Sequence, residues 1–350
     1  MNFLWDEYSD QPHILKREDK KILRKDSGYS FLKLLLLNII LFPLLFLKFL
    51  IFRNIKSSDS IDDNSFYSLC VNLDKGGIQY ELVEELGVNS LQIRVFLNDM
   101  QNINKYVDFV KGFGDDKKIL ITIIQNREHI TNKELLQKDI KIIFEKFNGI
   151  CSEFQIGNAI NRIKWEFVSM EEYLEFFKNI QDIRNEFFPK IKLIGSSVID
   201  FEYHFTIRTL FHGYKIHFDK LASLLYVDRR GSPYNTQYKI FDLKNKIDFL
   251  RTIVNTSNKC EDEIYITETN WPLSNTAPYA PTSELECVNE DDYTKYMLEY
   301  YDITKQTRKV SRVYWHQLIA PGYGLVDNRD DKIRKTKAFY AFKKMIQDAK

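Results

Sequence analysis

The chain has 350 residues, 44% of them hydrophobic and 28% charged, with 50 lysines and arginines set against 49 aspartates and glutamates. That is room for one large domain with an appendage or for two ordinary domains, with enough apolar content for a real core. A net charge of +1 excludes capture of nucleic acid by bulk charge, so no nucleic-acid partner is expected.

Residues 1–30 are polar and densely charged, with Lys16, Arg17, Lys20, Lys21, Arg24 and Lys25 in one short stretch. The composition then changes abruptly. Residues 31–52 read FLKLLLLNIILFPLLFLKFLIF, and a polar linker, 53–65, follows. A buried soluble helix is rarely this apolar on every side, and the length suits a membrane span. A signal peptide fits poorly, because the preceding region is too long and no small-residue cleavage site follows. Lys33, Lys48 and Pro43 interrupt the run. Two arrangements therefore stay open. In one, the segment spans the bilayer with its lysines snorkelling to opposite headgroup layers. In the other, it kinks at Pro43 and lies in the interface or returns to the same side. Either way, membrane lipid is the expected partner of residues 31–52. The basic cluster predicts a cytoplasmic N-terminus; a span then places the rest of the chain outside the cytoplasm, whereas a re-entrant helix keeps it inside.

From residue 66 a short β-branched run alternates with a longer amphipathic stretch. The expected strands are Tyr67–Leu73, Leu91–Leu97, Ile119–Ile124, Glu153–Asn158, Lys192–Ile199, Leu221–Val227, Glu263–Thr267 and Arg312–Leu318. The expected helices are Gln79–Leu86, Ile103–Phe113, Lys133–Phe147, Met170–Phe187, Phe205–Phe211, Phe241–Asn255, Asp291–Thr307 and Arg334–Asp348. Thr131-x-x-Glu134 and Ser169-x-x-Glu172 read as capping boxes. Strands alternating with helices imply a parallel sheet, and eight units over residues 66–350 predict a closed (β/α)8 TIM barrel, an α/β fold. The competing open doubly wound sheet usually carries a glycine-rich phosphate loop after its first strand. Here that strand runs into Asn72-Leu73-Asp74-Lys75-Gly76-Gly77, which has no GxGxxG.

In such a barrel the chemistry sits at the C-terminal ends of the strands. The second strand offers Arg94, the fourth Asn158 and Asn161, and the fifth Asp200, Glu202, Tyr203 and His204. The sixth offers Asp228, Arg229 and Arg230, the seventh Glu268 and Trp271, and the eighth Trp315 and His316. Polar and aromatic residues gather at these ends, which a purely structural barrel does not need. Glu268 is the sharpest candidate: it closes an apolar strand and precedes Trp271, where a carboxylate can attack or stabilise an oxocarbenium-like centre. The structural alternative for it is pairing with Arg94 or Arg229. The cysteines Cys70, Cys151, Cys260 and Cys287 form no CxxC pair, and the six histidines show neither HxH nor HExxH. No metal site, cofactor or disulfide framework is expected.

Ile266-Thr267-Glu268-Thr269-Asn270-Trp271 resembles the strand-7 nucleophile motif of clan-A glycoside hydrolases. Gly157-Asn158-Ala159-Ile160-Asn161 resembles their strand-4 motif, which normally reads Gly-Asn-Glu-Pro-Asn. Trp315 resembles the tryptophan that floors their sugar subsite, and Arg94 their strand-2 arginine, which helps hold the nucleophile. Residues 158–165 further resemble a stretch in glycosidase-like proteins associated with bacterial surface polysaccharide synthesis. The resemblance covers residues 66–350 and says nothing about the first 65. It implies a glycan or glycolipid substrate, a residence at the bacterial inner membrane with the side left open, and Glu268 as nucleophile or charge stabiliser.

One departure matters most: the general acid/base of that clan is Ala159 here, and alanine transfers no proton. Either another group acts as acid, with Glu202 first and His204 behind it, or the leaving group needs little protonation, or the protein binds glycan without cleaving it. In the enzymatic reading Asn158 binds a sugar hydroxyl, Trp271 and Trp315 stack on sugar faces, and the remaining rim residues (Arg94, Asn161, Asp200, Tyr203, Asp228, Arg229, Arg230 and His316) contact substrate. The expected activity is hydrolysis or transfer of a glycosidic bond in a cell-surface glycan or its lipid-linked precursor; the alternative is a non-catalytic glycan-binding or scaffold protein.

Overall fold

The structure is a computed structural model and describes residues 3–55, 61–329 and 332–349, with the side chain of Arg229 also outside the description. Part of the expected linker, residues 56–60, therefore lies outside the described residues. The chain begins with a small antiparallel hairpin, β1 (Trp5–Asp6) and β2 (Gln11–Pro12), then α1 (Arg17–Leu23), α2 (Gly28–Phe52) and the short α3 (Asp63–Phe66). The barrel follows: β3 (Tyr67–Val71), α4 (Ile78–Leu86), β4 (Ser90–Phe96), α5 (Ile103–Lys111), β5 (Lys118–Ile124), α6 (Arg127–Thr131), α7 (Lys133–Phe147), β6 (Glu153–Ile156) and α8 (Met170–Phe187). It continues with β7 (Lys192–Ile199), α9 (Tyr203–Leu210), β8 (Lys220–Leu224), α10 (Leu243–Thr256), β9 (Ile264–Thr269), α11 (Glu290–Thr307) and β10 (Arg312–Trp315). A two-stranded ribbon, β11 (Val326–Asp327) and β12 (Arg334–Lys335), precedes the last helix, α12 (Lys337–Ala349).

Strands β3 to β10 close into one all-parallel barrel, with β10 pairing both β9 and β3. The eight expected strands are all present, and the (β/α)8 expectation holds. The strands are apolar on both faces because helices cover the outside and side chains fill the inside. Leu120, Ile194, Ala222, Tyr265 and Tyr314 form one interior layer. Charges sit at its edge: Glu153 accepts from Lys220 at 2.8 Å and Arg312 at 2.7 Å, so each buried ion has a partner. One cap differs from expectation. The N-cap of α7 is Asn132, which accepts from the Leu135 N–H at 3.1 Å, while the Thr131 hydroxyl donates back to carbonyls of α6. Ser169 caps α8 as expected, accepting from the Glu172 N–H.

Helix α2 runs on through Pro43 and lies against the barrel wall. Helix α9 has 8 residues beside neighbours of 18 and 14, and α2 crosses the gap this leaves. Phe42 stacks on Tyr203 at 5.1 Å, Phe49 meets Phe249 edge-on at 5.6 Å, and Asn38 donates to the His204 carbonyl at 3.0 Å. Leu45 and Phe49 are fully buried there, worth roughly 3–6 kcal/mol together. The opposite face is bare and apolar: Leu32, Leu36, Ile39, Ile40, Leu44, Leu47 and Ile51 are all exposed, at the three- and four-residue spacing of one helix face.

Candidate active site

Glu268 stands at the C-terminal end of β9. The pairing of β9 with β10 slips by a residue between Ile266↔Val313 and Thr269↔Trp315; such a bulge re-aims side chains at a strand end. The Glu268 side chain is 9% exposed, lines a pocket of about 190 Å³ and accepts a 2.6 Å hydrogen bond from the Tyr226 hydroxyl, which follows β8. Burial, then the Glu268 charge, push the Tyr226 pKa well above its ordinary value, so the phenol keeps its proton and donates. A larger groove of about 580 Å³ lies beside Arg53, Lys244, Asp248 and Arg308, on the outer wall and away from the strand ends.

Arg94 points into the same pocket from β4 and is 3% exposed. Its Nε donates to Asn72 Oδ1 at 3.0 Å, and its terminal nitrogen pairs with Asp10. That aspartate comes from the N-terminal hairpin, which folds over the barrel mouth. Trp5 sets its ring edge-on to Phe96 at 5.3 Å and Trp165 at 5.7 Å. Gln11 accepts from Lys164 Nζ at 2.6 Å and donates to the Pro281 carbonyl at 3.0 Å, and the Tyr323 hydroxyl donates to the Ser9 carbonyl at 3.3 Å.

The strand-4 side is built differently. Ala159 is fully buried with a left-handed φ of 46° and packs with Ile124, Trp165, Leu224 and Tyr226. Asn158 is buried, its backbone clamped between both ends of the Gln125 amide, and it does not line the pocket. Asn161 ties the loop to β7 through Ile199 and donates to Glu202 at 2.6 Å. Arg162 lines the pocket and binds Asp200 at 2.5 Å and Glu202 at 2.8 Å. Lys164 reaches the pocket from the same loop; burial, then Arg162, lower its pKa to about 8.

The structure thus brings Arg94, Asp200, Arg230, Glu268 and His316 together around one hollow. Arg230 lies 3.5 Å over the Tyr226 ring, and His316 stacks on Tyr323 at 5.7 Å. Burial lowers the His316 pKa, with Glu268 acting against it. Other expected residues do not line the hollow. Glu202 is spent on Arg162 and Asn161. Tyr203 and His204 open α9; the Tyr203 ring stacks on Phe42 of α2 and the His204 carbonyl accepts from Asn38, with burial lowering the His204 pKa. Asp228 starts the 3-10 turn Asp228–Arg230 outside the pocket lining, and the Arg229 side chain lies outside the described residues. Trp271 and Trp315 are 0% exposed and unavailable to a sugar face. They stack on each other at 5.9 Å and are edged by Tyr300 and Tyr293, because α11 carries a run of tyrosines against them. The pocket also uses Asp10, Gln11, Lys164, Tyr226 and Tyr323, none singled out in the sequence as site residues, although Tyr226 lies near the end of the expected strand Leu221–Val227. Among the described residues no group of three or more histidine, cysteine or carboxylate side chains can hold a metal ion.

No protein-family model matches the chain, and no curated protein matches it. Solved structures do. One is a family 39 glycoside hydrolase from the gut symbiont Bacteroides cellulosilyticus WH2, with a TM-score of 0.61, 14% identity and 82% of this chain covered. The match takes in 65% of that enzyme's length. A monomeric β-xylosidase from Caulobacter crescentus CB15 gives 0.59 at 13% identity, over 82% of this chain and 69% of that one. A β-glucosidase from Thermotoga maritima in complex with castanospermine gives 0.58 at 11% identity, over 84% and 99%. The barrel is similar in fold to those of these glycoside hydrolases. At these identities the likeness establishes the fold and leaves the chemistry to the site itself.

Proposed function

We propose that the protein is a membrane-associated carbohydrate-active enzyme that hydrolyses or transfers a glycosidic bond in a bacterial cell-surface glycan or its lipid-linked precursor. One observation carries this reading: Glu268 sits at the barrel mouth, held by the Tyr226 hydroxyl and facing a monosaccharide-sized hollow. Glu268 attacks the anomeric carbon as the bond to the leaving oxygen breaks and its electron pair goes to that oxygen. The proton comes from Lys164. Of the groups lining the pocket, its ammonium holds a releasable proton near neutral pH, whereas Glu202 and His204 stand outside the lining. Water then attacks the glycosyl-enzyme and returns its proton to the Lys164 amine. Glu268→Gln tests the assignment with surface polysaccharide fractions as substrate: turnover is lost and glycan binding kept. The apolar packing of Ala159 favours a second reading, a glycan binder, in which neither form turns over and both bind equally.

The bare face of α2 supports a helix lying in the membrane plane at the bacterial inner membrane. A span requires its two flanks to part by the bilayer thickness, roughly 30 Å of hydrocarbon. Here both flanks hold the same barrel, through Asp10 with Arg94 on one side and Asp62 with Lys118 on the other. The basic residues of α1 suit anionic headgroups. Replacing Leu36, Ile40 and Leu47 by glutamate abolishes co-sedimentation with vesicles containing anionic lipid if lipid meets this face, and leaves it unchanged if it does not.

A further inference from the structure

The mouth already holds a carboxylate, and the chain itself supplies it. Asp10 sits beside β2 with a left-handed φ of 53°, and its Oδ2 is held by Arg94 and, at 3.1 Å, by Gln317 Nε2. Gln317 is fixed in turn by Asn72 and the Tyr323 hydroxyl. Burial works to raise the Asp10 pKa; Arg94, Lys75 and His316 outweigh it and hold the carboxyl below its ordinary value. Asp10 is therefore the charged counterion of a buried guanidinium.

Consider the pocket without the hairpin. Arg162 answers to Asp200 and Glu202, which leaves Arg94, Lys164 and Arg230 facing Glu268 alone. A neutral sugar offers these cations no counter-charge, whereas an acidic sugar does. The hairpin is also weakly built: each strand has two residues, and such a ribbon is marginal on its own. We propose that Arg94 and Gln317 form the subsite for the carboxylate of an acidic sugar, a uronic acid, and that Asp10 of the hairpin fills this subsite in the resting chain as a built-in competitor. This rests on reading the mouth as a sugar site, though not on Glu268 being catalytic.

The test is calorimetric titration of the full chain with two matched pairs of probes, D-glucuronate with D-glucose and D-galacturonate with D-galactose. In Asp10→Asn a uronate binds at least tenfold more tightly than in the parent chain, while its neutral partner changes less than twofold. Trp5→Ala, which loosens the hairpin and leaves the subsite intact, moves uronate affinity the same way; it decides the matter if Asp10→Asn fails to fold with Arg94 unpaired. Uronate added to the parent chain speeds amide hydrogen exchange in residues 5–12. No gain in either variant, or an equal gain for uronate and neutral sugar, overturns the subsite. A uronate gain without any turnover that depends on Glu268 keeps the subsite and overturns the enzyme; Glu268-dependent turnover without a uronate gain does the reverse.

Discussion

The loop after β6 and the end of β9 both reach the same hollow and are built in opposite ways. At β9 a carboxylate is kept, partly buried and held by a phenol. At β6 the corresponding position is Ala159, closed into an apolar wall by Trp165, Leu224 and Tyr226. Ala159 is fully buried in this wall. The loop beyond it instead delivers Arg162 and Lys164 to the pocket. The side that carries alanine thus also carries cations, and the side that carries the carboxylate holds it with a phenol.

Four substitutions break or sharpen this contrast. Glu268→Gln has the largest expected effect, a fall in kcat of at least about 10³-fold at unchanged binding, read by steady-state kinetics. Lys164→Met follows, with a loss of roughly 10²-fold, the usual scale for a proton donor. Its pH profile carries the sign: a pKa of about 8 means the ammonium is present below pH 8, so parent kcat/KM falls above that value and the variant lacks this alkaline limb. Stability moves the other way. Between pH 8 and the ordinary lysine range the unfolded chain holds a proton the folded one has released, so unfolding free energy rises with pH there. Ala159→Glu buries a carboxylate in the apolar wall at a cost of about 2 kcal/mol and restores no activity; thermal unfolding reads the first and turnover the second, and a gain in rate would show that the wall can open into an acid site. Tyr226→Phe is the mildest, about a tenfold loss in kcat from one charge-assisted hydrogen bond.

The barrel was legible because its eight strands are β-branched runs at regular spacing, a signal that depends on neighbours in sequence. The placing of Glu268 and Arg94 at the hollow was legible because strand ends open onto the mouth of such a barrel. The tryptophans misled for a reason that no strand pattern contains: Tyr293, Tyr300 and Tyr301 on α11 fill the space around them. Glu202 and His204 follow a strand end in sequence, yet neither lines the hollow: the Tyr203 ring and the His204 carbonyl meet α2, and Glu202 is taken by Arg162. The hairpin was the least legible part. Its two-residue strands carry no periodicity, and its partners lie 84 and 307 residues away in the chain.

Residues 13–27 connect that hairpin to α2, and the shortness of this tether has a thermodynamic consequence. A segment confined so near its own docking place acts at a local concentration in the millimolar range, set by tether length and independent of how dilute the protein is. Dilution cannot release it, and an incoming acidic glycan must outcompete it at that standing concentration. The loss of this penalty on cutting the chain between residues 13 and 27 is a property of connectivity, not of any contact in the mouth.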